Sequence, residues 1–102
     1  MIIYEVNLTI DNQIFDDYYN WLTPHCKQML TFPGFKQVNI LKEQSDTDGD
    51  QTRITCTYLL EDQQSLDNYI TNHSTSMRDD GIKRFGNKFS AKRRIFEVLN
   101  TY

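Results

Sequence analysis

Residues 2–29, IIYEVNLTIDNQIFDDYYNWLTPHCKQM, change hydrophobic period once. Ile2, Tyr4, Val6, Leu8 and Ile10 alternate with Ile3, Glu5, Asn7 and Thr9, the two-residue repeat of a half-buried strand. Asp11 and Asn12 supply turn or cap chemistry. Beyond them Phe15, Tyr19, Leu22, Cys26 and Met29 recur at steps of four and three, which is the apolar stripe of a helix. Asp16 and Asp17 fall where the helix dipole favours acids. Pro24 lacks a backbone donor in mid-pattern, so the helix is expected either to kink or to restart with Thr23 as its cap.

Working outward, Phe32-Pro33-Gly34-Phe35 stops this helix, and residues 35–41 and 54–60 read as two further strands. The polar link between them, EQSDTDGDQ at 43–51, carries Asp-Gly at its tip, as a hairpin loop does. A second helix is expected from Asp62 through Leu66, Tyr69, Ile70, His73 and Met77 to Phe85. A break falls near Ser74, and Gly86 provides the stop. Residues 89–99 form the last strand. The order β-α-β-β-α-β defines a ferredoxin-like α+β domain spanning 1–102, with a four-stranded antiparallel sheet in the order 4-1-3-2 and both helices on one face. The other face would carry Glu5, Asn7, Thr9, Arg53, Thr55 and Thr57, with either Arg93 or Arg94. A second copy of the chain is expected to cover it, giving a homodimeric α+β barrel.

Composition bounds the function. With 38% hydrophobic and 25% well-mixed charged residues, 102 residues suffice for one globular core. Residues 1–67 hold four basic and eleven acidic side chains, net −7; residues 68–102 hold seven and three, net +4. That asymmetry suits head-to-tail electrostatics, an anionic ligand or simply a solvated surface. The first ten residues lack a basic leader and a cleavage site, and no apolar run nears the ~20 residues of a membrane helix. Cys26 and Cys56 make no disulfide framework and read as buried thiols in a reducing cytoplasm.

Chemistry-bearing residues are few. Trp21 and His25, four apart, flank the apolar stripe with Ile14 and Tyr18; they suit a packed rim or the edge of a ligand cleft. His25 and Cys26 point about 100° apart, which disfavours one shared metal or a nucleophile–base pair. No CxxC or HxxxH spacing suggests zinc, and DTDGD at 46–50 fails both calcium-loop registers. No glycine-rich phosphate loop is present, and no cofactor is expected. The basic run KRFGNKFSAKRR at 83–94 raises RNA binding, but the third strand, TRITCTYLL, lacks the stacking aromatics that such a sheet needs.

MIIYEVNLTID, the Trp21/His25 pair with Phe35 ten residues on, YITNHSTSMRDDGIKRFGNKF and RRIFEVL together resemble a bacterial domain-of-unknown-function family of about this length. His73, Arg78 and Arg84-Phe85-Gly86 carry the most specific part of that resemblance. Members often have His-Ile-Pro after the Trp, whereas here Pro24 precedes His25. The layout is also similar to the dimeric α+β barrel superfamily, which includes antibiotic-biosynthesis-type monooxygenases and haem degraders. Asn7, Tyr58 and His73 occupy places roughly comparable to the haem degraders' Asn, aromatic and His. Their His, however, would lie nearer Asp79 and their aromatic is a Trp, so haem chemistry does not carry over.

Three functions remain. The first is a cytoplasmic homodimer that binds a small anionic or aromatic molecule or a partner. The second is a cofactor-independent oxygenase-like enzyme using a helix–sheet cleft. The third, disfavoured, is RNA binding through the basic C-terminal third. A site is expected between the flank of the first helix and the middle of the second, from Tyr18, Trp21, His25, His73, Arg78 and Arg84. The two arginines would suit a carboxylate or phosphate. The alternative is that Arg78 pairs with a surface acid and both histidines merely pack.

Overall fold

A computed structural model describes residues 1–44 and 49–102. Strand β1 (Ile2–Asp11) leads through one 3-10 turn (Asn12–Ile14) into helix α1 (Phe15–Met29). Strands β2 (Phe35–Leu41) and β3 (Gln51–Leu60) follow, then helices α2 (Gln63–Asn72) and α3 (Ser74–Phe85), and strand β4 (Phe89–Glu97). Every pairing is antiparallel and the sheet order is β2-β3-β1-β4, as the alternation and connectivity predicted. The 45–48 part of the β2–β3 link, with most of the rejected calcium motif, lies outside the described residues. Among the described residues no helix is long and apolar enough to cross a membrane.

The sheet's inner face and the helices share one core. Ile2, Tyr4, Leu8 and Ile10 from β1 and Ile54, Cys56, Tyr58 and Leu60 from β3 are buried against Leu22, Cys26 and Met29 of α1 and Leu66 and Tyr69 of α2. Each such aliphatic side chain stabilises the fold by about 1.5–3 kcal/mol relative to exposure. Strand β3 starts three residues earlier than its apolar run. Gln51, Thr52 and Arg53 pair with Asp11, Ile10 and Thr9, so the length of β1 sets where β3 begins.

Two local expectations change. Tyr18, not Tyr19, faces the core: Tyr18 is 2% exposed and Tyr19 41%. Tyr18 packs between Phe85 and Phe89, while Tyr19 stacks outside on Phe15. Adjacent helical residues lie about 100° apart, so where α3 and β4 press decides which tyrosine is inside. Helix α1 also runs unbroken through Pro24, and the Thr23 hydroxyl donates to the Tyr19 carbonyl instead of capping a new helix. Asn12 acts as a turn residue, one of the two roles the sequence offered it: its amide donates to the Gly49 carbonyl and its Oδ1 accepts from Thr52, tying the turn to β3.

The second helix divides near Ser74, as the sequence indicated, into α2 and α3. Asp62 caps α2 by accepting from the Ser65 N–H at 2.9 Å and its hydroxyl at 2.7 Å. His73, at φ −130°, then ends α2 and opens α3. The Ser74 and Ser76 hydroxyls donate back to the Ile70 and His73 carbonyls, local bonds that compete with helix continuation. Ile70, assigned to the stripe, is exposed, and α2 buries Leu66 and Tyr69 instead.

The open sheet face is ordered by polar bonds. The register sets Arg94 opposite Glu5 and turns Arg93 to the helical side, resolving which arginine the open face carries. Arg94 Nε donates to Glu5 Oε1 at 2.7 Å, the Asn7 amide donates to the same oxygen at 2.7 Å, and the Thr55 hydroxyl donates to Asn7 Oδ1 at 2.9 Å. The Arg94 hydrogen bond, helped by Asn7, holds the Glu5 carboxyl below its usual pKa.

Candidate functional site

Helices and sheet do not close completely. A cavity of about 290 Å³ lies between α1, α3, β1 and β4. Two small residues, Gly81 on α3 and Ala91 on β4, are among those that line it. Val6, the only inward β1 residue that is not fully buried, forms part of its floor. Ile82, Gly86, Ser90 and Arg93 are exposed members of the wall, so the opening lies along the α3–β4 edge.

Trp21 forms one wall. Its ring stacks on His25 with centroids 4.5 Å apart and meets Tyr18 and Phe85 edge-on at 5.4 and 5.8 Å. Its Nε1 donates to Asp80 Oδ2 at 2.8 Å, linking α1 to α3. Gly81 permits that approach, since a Cβ there would sit 3.0 Å from the indole Cη2. Trp21 and, secondarily, Arg84 hold the Asp80 carboxyl below its usual pKa.

The expected site residues divide. Tyr18, Trp21, His25 and Arg78 all line the cavity. His73 does not: at the break between α2 and α3 it stacks on Phe32 at 4.3 Å, so the two histidines do not converge. Arg84 is exposed and its Nε bonds Asp80 Oδ1 at 3.3 Å, one turn back on α3, instead of turning into the cleft. Arg78 pairs with no acid among the described residues; its Nη2 donates to the Tyr4 hydroxyl at 3.1 Å. Of the basic run at 83–94, Arg84 joins the Asp80 pair, Arg93 the cavity wall and Arg94 the Glu5 pair.

Tyr4, Tyr58, Tyr69, Gly81 and Arg93 also line the cavity and were not anticipated. Arg93 was within reach of the alternation, because it is in phase with Phe89 and Ala91. The tyrosines read as ordinary core. Burial pushes the Tyr69 phenol up to about 12 and raises Tyr58 further, so both remain protonated donors at neutral pH. Tyr58 approaches Cys26 Sγ at 3.3 Å, and Cys26 and Cys56 are free, buried and 3.9 Å apart. Among the described residues no three His, Cys, Asp or Glu side chains cluster to hold a metal.

Burial lowers the His25 pKa from its ordinary 6.5, and Asp80 opposes this only in part. The imidazole is therefore neutral at pH 7 and can accept a proton. Because the unfolded chain binds that proton more tightly, the His25 contribution to stability is complete above pH 6.5 and falls as pH drops toward the lowered folded value. Imidazole proton shifts followed by NMR should give a His25 midpoint below 6.5; a midpoint at or above 6.5 contradicts its burial.

An antiparallel sheet in the order β2-β3-β1-β4, roofed on one side by helices, defines the ferredoxin-like α+β class. A solved protein from Deinococcus radiodurans labelled an antibiotic biosynthesis monooxygenase superposes with a TM-score of 0.80 at 12% identity, over 100% of this chain and 96% of its own. One from Nitrosomonas europaea with the same label gives 0.74 at 14%, over 98% and 100%. SnoaB, a cofactor-independent oxygenase from Streptomyces nogalater, gives 0.72 at 10%, over 98% and 95%. These likenesses establish the fold alone. The chain itself belongs to the domain of unknown function family DUF4286, which it matches over residues 1–99. No curated protein matches it in sequence.

Proposed function

We propose that this chain is a homodimeric domain that binds a small organic molecule between its helices and its sheet. The cavity carries this proposal: about 290 Å³ walled by Trp21, Tyr18, Phe89 and Met77, with polar groups at a few points, is the composition of a ligand site and close to the lower end of the usual size range of roughly 300 Å³. A blocking substitution tests it. Ala91→Phe should fill the cavity from β4, keep the fold, and abolish the thermal shifts that a library of small organic molecules produces on the wild type. Equal shifts for both proteins would remove the cavity from the function.

The dimer would use the open sheet face. A two-fold interface must complement itself, and this face offers both signs, with Glu5 on the central strand β1 and Arg94 beside it on β4. The Glu5 side chain is only 12% exposed, and Phe96 and Leu41 stand exposed on strands at either edge of the sheet. Light scattering should return twice the 12.1 kDa of one chain; a monomer mass at micromolar concentration refutes the dimer. Two free thiols 3.9 Å apart favour a reducing compartment such as the cytoplasm.

A second function, cofactor-independent oxygenation, is favoured by one observation: the cavity reaches a neutral imidazole, His25, which can take a proton from a bound substrate. Ligands found in the screen should then consume dissolved oxygen on mixing with the wild type but not with His25→Ala. Binding without oxygen uptake leaves the domain a binder.

A further inference from the structure

The cavity wall contains no aspartate or glutamate, although the chain carries a net charge of −3. It does contain Arg78, Arg93 and His25. Arg78 is half-buried, its Nε is buried with no acceptor, and it has no counter-charge among the described residues. Withdrawing a guanidinium from water without a paired acid is unfavourable, and a fold under no other constraint would place a neutral residue there. Tyr4 adds a second donor. Its oxygen accepts from Arg78, and its own proton has no acceptor among the described residues.

Resting on the cavity reading above, we infer that the occupant is an aromatic monocarboxylate of one or two rings. Its carboxylate accepts from Arg78 and from the Tyr4 hydroxyl, and its ring lies among Trp21, Phe89 and Met77. The planar guanidinium matches a carboxylate, and an aromatic wall with thioethers matches a flat ring. A phosphate fits less well. The cavity meets α3 at Met77, Arg78, Gly81 and Ile82, past the N-terminal N–H groups that bind phosphates. Arg93, at the exposed edge, adds positive charge near the opening and guides the anion inward.

The probes are benzoate and 2-naphthoate with their neutral isosteres benzamide and 2-naphthamide, titrated into the wild-type chain and followed by amide and indole N–H shifts. The acids should bind at least about tenfold more tightly than the amides, the ratio that one charge-assisted contact supplies, and should move the Trp21 indole and Gly81 signals. Arg78→Gln should bring the acid-to-amide ratio close to one, while Arg78→Lys retains part of it. If Arg78→Gln does not fold, Tyr4→Phe, which keeps the ring, should lower acid affinity and leave amide affinity unchanged. Amides binding as tightly as acids, or acids shifting only signals away from the cavity, would overturn the carboxylate assignment and leave the cavity reading intact. No cavity signal moving with any of the four probes also overturns the aromatic-carboxylate assignment, while the library screen on wild type and Ala91→Phe decides the cavity reading separately.

Discussion

Replacing Trp21 with alanine should lower the unfolding free energy by about 3 kcal/mol, roughly 15 °C in Tm for a domain of this size. Truncating a fully buried tryptophan costs about 3–5 kcal/mol, and Trp21, which is partly buried, belongs near the lower figure. The loss has identifiable parts. The rings of Tyr18, His25 and Phe85 lose their shared neighbour, and Asp80 loses the indole donor that bridges α1 to α3. Trp21→Phe keeps a ring but removes that donor, so it should cost about 1 kcal/mol from the hydrogen bond plus a smaller packing loss. In the alanine variant the His25 imidazole gains water, and its pKa should climb back toward 6.5. Urea unfolding and imidazole titration of the three proteins check both effects. A Trp21→Ala variant within 1 kcal/mol of wild type (about one-third of the expected loss) would mean that this wall is not packed as described.

Gly34→Ala should be nearly as damaging, by about 3 kcal/mol from two separate sources. Gly34 sits at φ +83°, where an L side chain adds about 1–2 kcal/mol of strain. A Cβ there would also overlap the Oγ and Cβ of Ser65. Ser65 cannot swing aside freely, because the Asp62 cap holds it by both its N–H and its hydroxyl. The same turn is fastened by the Glu61 N–H, which donates to the Gly34 carbonyl at 2.8 Å. The methyl group would therefore push α2 from the FPGF turn. Adding Ser65→Gly to Gly34→Ala should recover the overlap and not the backbone strain, a coupling that a double-mutant cycle in urea measures. Strict additivity of the two substitutions contradicts the proposed contact.

These two residues show how far local pattern reaches. Gly34 was legible as a helix stop because a Pro-Gly pair breaks helices wherever it occurs. That its missing Cβ makes room for Ser65 depends on a residue 31 positions away, which no local period reports. Trp21 and His25 were legible as neighbours because a four-residue step fixes their separation on any helix. Their third neighbour, Gly81, reads in sequence only as a weak point in a helix, and its role appears once α3 lies against α1. His73 shows the opposite case: its place on the apolar side of α2 suggested the cleft, but the break that it forms turns it onto Phe32.

Periodicity by itself determined the four strands, the helical segments, their order and, through connectivity, the sheet order β2-β3-β1-β4. Each of those follows from spacing along the chain, where side-chain direction repeats every two or 3.6 residues. Tertiary structure alone decided which of Tyr18 and Tyr19 enters the core, which of Arg93 and Arg94 faces the helices, and that Arg78 and not Arg84 joins the cavity. Those are choices between residues one position or a few positions apart, settled by strand register and by the volume of whatever packs opposite. The cavity is the extreme case: its wall joins residues of α1, α3, β1 and β4 that are far apart in the chain and meet only when helices and sheet come together.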